Sequence, residues 1–324
     1  MKNFAVVGTN FISDAFMNEI VLHPDCKVIG VLASSLEKAR LFATRYQIKK
    51  IYTSIEEIAF DRNIDAVYIA TPNQNHYPMA KVLINAHKAV LLEKPFTITL
   101  EEANDLIGLA AMNNTLIMEN MRVYYDPAFL VIREQIKRIG RIKSFALRME
   151  KQSSRYSKYL HHEYISTFDP KKGNAAILDL GVYLIAATME LFSNPINITG
   201  QSFFLENGME KNGFMTVKFE DFLGTLFYSK VVDNTQPSII EGEKGNIYIS
   251  DIANPTKVSI TWNEKKDEEI VFYRPQVNYM NHTLPVFVKA LENSGDFSSS
   301  LVEKTSFCMS VVDFLIKHNG IKFN

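Results

Sequence analysis

Two short stretches of the chain carry residue types that could move a proton. In Leu91-Leu92-Glu93-Lys94-Pro95 an apolar run stops on an acid, a base and a proline. The run reads as the end of a buried strand, and the carboxyl ends of strands in an open parallel sheet form the ligand crevice. A lysine placed there points at whatever binds. Pro95 cannot continue a central strand and keeps Lys94 out of helical dihedrals, and the X-Pro bond predicts a cis Lys94–Pro95 peptide. In the second stretch, Asp179 stands alone in an apolar helical run over 174–186, where a buried carboxylate must be paired. On a regular helix Tyr183, four residues on, shares its face. Gly181 between them costs roughly 1 kcal/mol in a helix interior unless something must approach closely there. Each residue alone has a plainer explanation, a solvated lysine or a packed tyrosine. Together they fit acid–base chemistry. Tyrosine, with a reference pKa of about 10, is a poor base near neutral pH, and a neighbouring ammonium stabilises the phenolate.

The elements that must position these groups fall into two patterns. Up to residue 122, apolar runs at 4–7, 28–32, 66–70, 89–92 and 116–118 alternate with helical periodicity over 12–22, 36–46, 55–60, 77–87 and 100–112. Strand–helix alternation with continuously apolar strands predicts an α/β, doubly wound parallel sheet that binds a nucleotide. Its first turn is Val7-Gly8-Thr9-Asn10-Phe11-Ile12-Ser13. Only the first glycine of the dinucleotide fingerprint is present. Asn10 stands where backbone should approach a pyrophosphate, and Ser13 where the helix packs on the strand. A helix starting near Phe11 or Ile12 offers free N–H groups to a phosphate, so Gly8, Thr9, Asn10, Phe11 and Ile12 are candidate cofactor residues. No acid ends the second strand to meet a ribose 2′-hydroxyl. Ser34 and Ser35, followed by Lys38 and Arg40, instead suit a 2′-phosphate, which favours NADP over NAD; the alternative is a solvated helix face. Thr71, Pro72, Asn73 and His76 follow the next long strand as hydrogen-bonding groups for a ribose, or as an N-capping loop served by Asn73 or Asn75.

From 123 the pattern changes. A helix over 126–139 is opened by Asp126-Pro127 and stopped by Gly140. Alternating runs follow at 141–150, 198–205, 213–219, 224–231, 238–241, 247–249, 258–262 and 270–273, which predicts a mainly antiparallel open sheet. Helices at 281–291 and 301–318 close an α+β second domain, so the expected domains are 1–122 and 123–324. The connection over 151–164 is polar and rich in tyrosine. At that length such a segment is functional or disordered, and its tyrosines argue against disorder. Arg155, Tyr156 and Tyr159 suit the pocket of a polyhydroxylated ligand, whereas His161-His162 is not by itself a metal site.

Composition removes several function classes. A net charge of −1 gives no electrostatic case for nucleic acid or an anionic membrane. Cys26 and Cys308 lie in opposite halves at no metal spacing, and such sparse use fits a reducing compartment. The apolar run before Gly8 is too short for a signal peptide, and no uncharged stretch reaches the ~18 residues of a membrane span. The expectation is a soluble, cytoplasmic protein without a metal.

The motifs occur in the order found in the Gfo/Idh/MocA oxidoreductases. They are Gly8-Thr9-Asn10, Thr71-Pro72-Asn73-x-x-His76, Glu93-Lys94-Pro95, Met118-Glu119-Asn120 and Asp179-x-Gly181-x-Tyr183. The chain resembles that family over nearly its whole length, and Tyr183 rather than histidine resembles the branch of glucose–fructose oxidoreductase and the dimeric dihydrodiol dehydrogenases. The resemblance implies a Rossmann domain, an open antiparallel sheet domain used for homodimer or higher oligomer contacts, and bound NAD(H) or NADP(H). Glu93 and Lys94 then join the cofactor-binding residues. Where that branch has Trp and Arg after the Met-Glu-Ala segment, this chain has Arg122 and Tyr124, and Arg122 could contact the nicotinamide side of the cofactor.

The function implied is hydride transfer between nicotinamide and a hydroxyl or carbonyl carbon of a sugar, polyol or dihydrodiol. Lys94 and Tyr183 form the proton-transfer pair, and Asp179 holds the lysine or a substrate hydroxyl. Two other readings stay open: a non-catalytic NAD(P)-binding sensor, and a non-redox enzyme holding NAD tightly to activate a sugar.

Overall fold

A computed structural model describes residues 1–323 apart from 194, 266, 277, 279 and 293–298. The chain forms two compact units, Met1–Met121 with Asn278–Met309, and Arg122–Val277 with Ser310–Asn324.

The first unit alternates β1 (Lys2–Val7), α1 (Phe11–Ile20), β2 (Cys26–Leu32), α2 (Leu36–Tyr46), β3 (Lys50–Ile51), α3 (Ile55–Phe60), β4 (Ala66–Ile69), α4 (His76–Asn85), β5 (Ala89–Leu92), α5 (Leu100–Met112) and β6 (Ile117–Glu119). Among the described residues its sheet runs β3-β2-β1-β4-β5-β6, with every pairing parallel. Every residue of β4 and β5 is buried, which is why both read as unbroken apolar runs. The register sets Val7 beside Ile69, Ile69 beside Leu92, and Leu92 beside Glu119. The segments leaving β1, β4, β5 and β6 therefore emerge side by side at the carboxyl edge.

Helix starts in this unit are written locally. Ser35 and Ser54 accept the Lys38 and Glu57 amides, and Thr99 with Glu102 forms a capping box. The short edge strand β3 was not expected, because two residues carry no periodicity.

The second unit holds α6 (Ala128–Arg138), β7 (Ile142–Glu150), α7 (Tyr156–Leu160), α8 (Val182–Phe192), β8 (Asn197–Phe204), β9 (Glu210–Lys218), β10 (Leu223–Ser229), β11 (Ser238–Gly242), β12 (Gly245–Ile249), β13 (Lys257–Trp262) and β14 (Glu268–Tyr273). Among the described residues the sheet order is β14-β13-β12-β11-β7-β10-β9-β8. Its pairings are antiparallel apart from β10 with β7, which run parallel. The apolar helix α8 packs on β7 and β10.

The chain then returns to the first unit through α9 (Thr283–Glu292) and the opening of α10 (Ser299–His318). Asn278 donates to the Ala15 carbonyl in α1 at 3.0 Å, and Phe287 packs edge-on against Phe4. A single break at 122/123 leaves this return out. Among the described residues no helix is long and apolar enough to cross a membrane.

Candidate active site

In the first unit the site begins at Gly8, whose φ is +104°. A Cβ there would lie 2.2 Å from the Ala70 carbonyl oxygen, so β1 and β4 meet at a cradle that only glycine permits. Asn10 closes it: its side chain caps α1 by accepting the Ile12 amide at 3.1 Å, and it donates to the Ala70 carbonyl at 3.0 Å. The Ile12 N–H, expected to face a phosphate, is thus engaged by the cap. The Phe11 side chain is exposed. Thr71, next along, buries its hydroxyl oxygen without a hydrogen-bond partner. An orphaned hydroxyl beside a glycine cradle fits a ligand such as a dinucleotide.

At the tip of β2 the Ser35 hydroxyl caps α2, and the Lys38 ammonium donates to Ser34 at 3.3 Å. All three side chains reach solvent, an arrangement able to receive a phosphate. Pro72 and Asn73 lead into a short 3₁₀ turn, Asn73–Asn75, ahead of α4. Asn75, at the N-cap position, makes no side-chain cap bond, so a capping role for it is not realised.

Two residues expected on the ligand turn inward instead. His76 is buried, with Nδ1 2.8 Å from the Pro95 carbonyl and Nε2 3.0 Å from the Thr71 carbonyl. Burial lowers its pKa while the two carbonyl contacts oppose that shift, and the ring bridges two loop backbones. Glu93 is also buried and accepts from the Tyr68 hydroxyl at 2.7 Å and from Asn120 Nδ2 at 2.5 Å. Both positions follow strand ends, but burial makes each side chain answer backbone and neighbouring polar groups first.

Between them the Lys94–Pro95 peptide is cis, as its sequence predicts. The turn it makes is held from below by Glu119, buried at the end of β6, which accepts the Phe96 amide at 3.0 Å and the Thr305 hydroxyl at 2.9 Å. Burial, aided by the neighbouring Glu93, pushes the Glu119 carboxyl up to about 7.

In the second unit, Asp179 and Tyr183 are not on one regular helix. Ile177–Gly181 forms a π-helical turn that runs directly into α8. The extra residue per turn alters the alignment that a four-residue spacing implies. Gly181 gives the close approach its position suggested: a Cβ would lie 3.1 Å from Ile177 and 3.5 Å from the Tyr228 ring of β10. Nor is Asp179 buried. Its side chain is 39% exposed and pairs at 2.8 Å with Lys230, which is only 5% exposed. Lys230 was not foreseen, since a lysine after an apolar strand reads as solvated; its placement inside the apolar run over 224–231 was the available signal. The helical run is anchored by Glu210, wholly buried at the start of β9, which accepts the Ile177 amide at 2.8 Å and is raised in pKa by burial.

Arg122, expected against the nicotinamide, opens a 3₁₀ turn, Arg122–Tyr124, that packs on α8. Its Nη2 donates to the Tyr183 hydroxyl at 3.0 Å, and its guanidinium carbon lies 5.1 Å over the same ring. Tyr183 is 5% exposed. Arg155 is exposed and donates to Thr167 at 2.8 Å. Tyr156 and Tyr159 stack on one another and pack against Phe168, so they build a small aromatic cluster as well as line the connection. A cavity of about 380 Å³ opens beside that cluster, bordered by Tyr159, Tyr164, Phe168 and Asn207.

Residues 2–121 match the family model described as the oxidoreductase family with an NAD-binding Rossmann fold, and 129–248 match that of the GFO/IDH/MocA C-terminal domain. An oxidoreductase of Escherichia coli is 32% identical over 80% of this chain and 79% of its own. The scyllo-inositol 2-dehydrogenase (NADP(+)) of Bacillus subtilis is 28% identical over 100% of this chain and 98% of its own. The trans-1,2-dihydrobenzene-1,2-diol dehydrogenase of Xenopus tropicalis is 26% identical over 92% of each. Among solved structures, a 3-ketoreductase from Actinomadura kijaniata in complex with NADP and TDP-benzene shares the fold with a TM-score of 0.87 at 19% identity, covering 98% of this chain and 97% of that one.

Proposed function

The chain belongs to the Gfo/Idh/MocA oxidoreductase family, and from that membership we propose an NADP-dependent dehydrogenase acting on a CH–OH carbon of a polyol or sugar. The observation that carries this reading is the register of the parallel sheet. It brings the Gly8 cradle, the orphaned Thr71 hydroxyl and the Lys94 turn out at one carboxyl edge, where open α/β sheets bind their ligands. Gly8, Thr9, Asn10 and Thr71 hold the dinucleotide backbone, with Pro72 and Asn73 on the ribose. Ser34, Ser35 and Lys38 take the adenosine 2′-phosphate. NADP, when bound, supplies the hydride acceptor, or in its reduced form the donor.

Tyr183 takes the proton of the substrate hydroxyl in oxidation and returns one to the carbonyl oxygen in reduction. Lys94 supplies an ammonium to the same oxygen. A cation there stabilises both a phenolate and an alkoxide-like substrate oxygen as charge develops. Asp179, balanced by Lys230, accepts a second hydroxyl of the polyol and fixes which carbon reacts. Arg155, Tyr156 and Tyr159 border the rest of the substrate.

The test is Lys94→Met, assayed by nicotinamide absorbance against inositols, aldoses and trans-dihydrodiols. Turnover should fall by at least about a hundredfold, the range general acid–base groups contribute, while NADP affinity stays within about threefold of the parent. Full turnover in that variant would overturn the assignment.

A further inference from the structure

We infer that Arg122 serves the Tyr183 oxygen as a catalytic cation, directing the phenol proton and stabilising the negative charge left when that proton moves. The inference rests on the proton-transfer role proposed for Tyr183 and adds a residue to it. Three features of the second unit carry it. First, the guanidinium meets the phenol in two ways, through Nη2 at 3.0 Å from the hydroxyl and through its carbon, 5.1 Å over the ring centroid. A single flexible contact would leave the side chain free to swing, whereas a hydrogen bond combined with a cation–π contact restricts where the charge can sit.

Second, arginine has donors and no acceptor and keeps its proton throughout the working range. In this bond the Tyr183 oxygen can only accept. The phenol proton is therefore directed to an acceptor other than Arg122, the orientation needed for delivery to a substrate oxygen. Third, Tyr183 is almost wholly buried and Arg122 sits on a turn anchored by buried Val123, so water screens the pair poorly. A neutral phenol gains an ordinary hydrogen bond from the guanidinium. A phenolate gains a charge-assisted one, roughly twice as strong. In reduction the difference acts only once the proton has left, which favours the step over the resting state, and in oxidation the same bond favours the phenolate that must accept the proton.

In oxidation the substrate O–H bond breaks and its proton joins the Tyr183 phenolate oxygen. The C–H bond breaks with its electron pair going to oxidised nicotinamide, and the C=O bond forms. Tyr183 then releases its proton to solvent before the next turnover. Reduction runs the same bonds in reverse, with the phenol as donor. Arg122 neither gains nor loses a proton in either direction.

The experiment compares Arg122→Met, Arg122→Lys, Tyr183→Phe and the Arg122→Met/Tyr183→Phe double variant in the full chain, with NADP titrated by fluorescence. Arg122→Met should lower kcat by about tenfold to a hundredfold, the value of a hydrogen bond to a charged group. KM and NADP affinity should stay within about threefold. Arg122→Lys should recover part of the loss, because it restores charge without the planar fork. The double variant should be no slower than Tyr183→Phe alone, since the two side chains act through one oxygen. Fully additive losses, or a defect confined to NADP affinity, would overturn the inference by placing the guanidinium's action elsewhere. Normal turnover in both Tyr183→Phe and Lys94→Met would instead sink the proton-transfer reading. Loss in those two with normal turnover in Arg122→Met would sink only the role of Arg122.

Discussion

Replacing Glu119 with glutamine removes a buried acid whose carboxyl sits at about 7, against its ordinary 4.5. The cause is burial first, with Glu93 nearby adding to it and the Thr305 and Phe96 hydrogen bonds opposing it. In the unfolded chain the group ionises near 4.5, while in the folded chain it holds its proton to about 7. Between those values the unfolded state binds fewer protons, so stability falls as pH rises through the window and levels off above it. A displacement of that size corresponds to about 3 kcal/mol in total. Glutamine keeps an oxygen for the Phe96 amide and an N–H₂ for the Thr305 hydroxyl, so the geometry at 3.0 and 2.9 Å can persist. Glu119→Gln should match the parent or be slightly weaker near pH 4.5 and become the more stable protein by pH 8. The assay is urea unfolding at half-unit pH steps, read as the difference between variant and parent so that other titrating groups cancel. Two compact units invite an intermediate, so each step needs two probes. Parallel curves across the whole range would refute a raised Glu119.

Gly8→Ala places a methyl 2.2 Å from the Ala70 carbonyl at a φ of +104°. It should cost about 1–3 kcal/mol of stability, the range for strained backbone, and abolish NADP binding in a fluorescence titration. Lys38→Ala should weaken NADP by about three- to tenfold and leave NAD nearly unchanged, because an exposed ammonium gives a modest, salt-screened contribution to a phosphate. Equal loss for both dinucleotides, or no loss at low salt, would remove Lys38 from the phosphate site.

How much of this was legible depends on how local the cause is. The helices at 36–46, 55–60 and 100–112 coincide with the observed α2, α3 and α5 because Ser35, Ser54 and the Thr99–Glu102 pair mark their starts within one turn. The Gly8 turn and the cis Lys94–Pro95 bond follow from backbone rules that act on one or two residues. Three other features have long-range causes. The parallel pairing of β10 with β7 has the same alternating pattern as an antiparallel one. The return of 278–309 to the first unit rests on contacts such as Asn278 to Ala15 and Thr305 to Glu119, far apart in sequence. The partner of Asp179 lies 51 positions away at Lys230. His76 was placed against a ligand because it follows a strand end and Glu93 because of the family resemblance, whereas burial gives His76 to two backbone carbonyls and Glu93 to Tyr68 and Asn120.

The buried acids explain how the two segments proposed to carry the chemistry are held. Glu119 accepts the amide of Phe96, two residues beyond Lys94, and Glu210 accepts that of Ile177, two residues before Asp179. Burial raises both carboxyls, so each lowers stability as pH climbs through its window, and an amide side chain could accept the same bond without that penalty. Stability alone therefore does not favour an acid at either place. An ionised carboxylate does make shorter and stronger bonds to backbone N–H groups than a neutral amide. Reactive groups must be held to within a fraction of an ångström by the residues that support them. Once ionised, these acids trade folding free energy for rigidity in the segments that bear Lys94, Asp179 and Tyr183. Within its own unit, Glu119 holds the turn that follows Lys94 and Glu210 the helical run that carries Asp179, where fixed geometry counts for more than a last increment of stability.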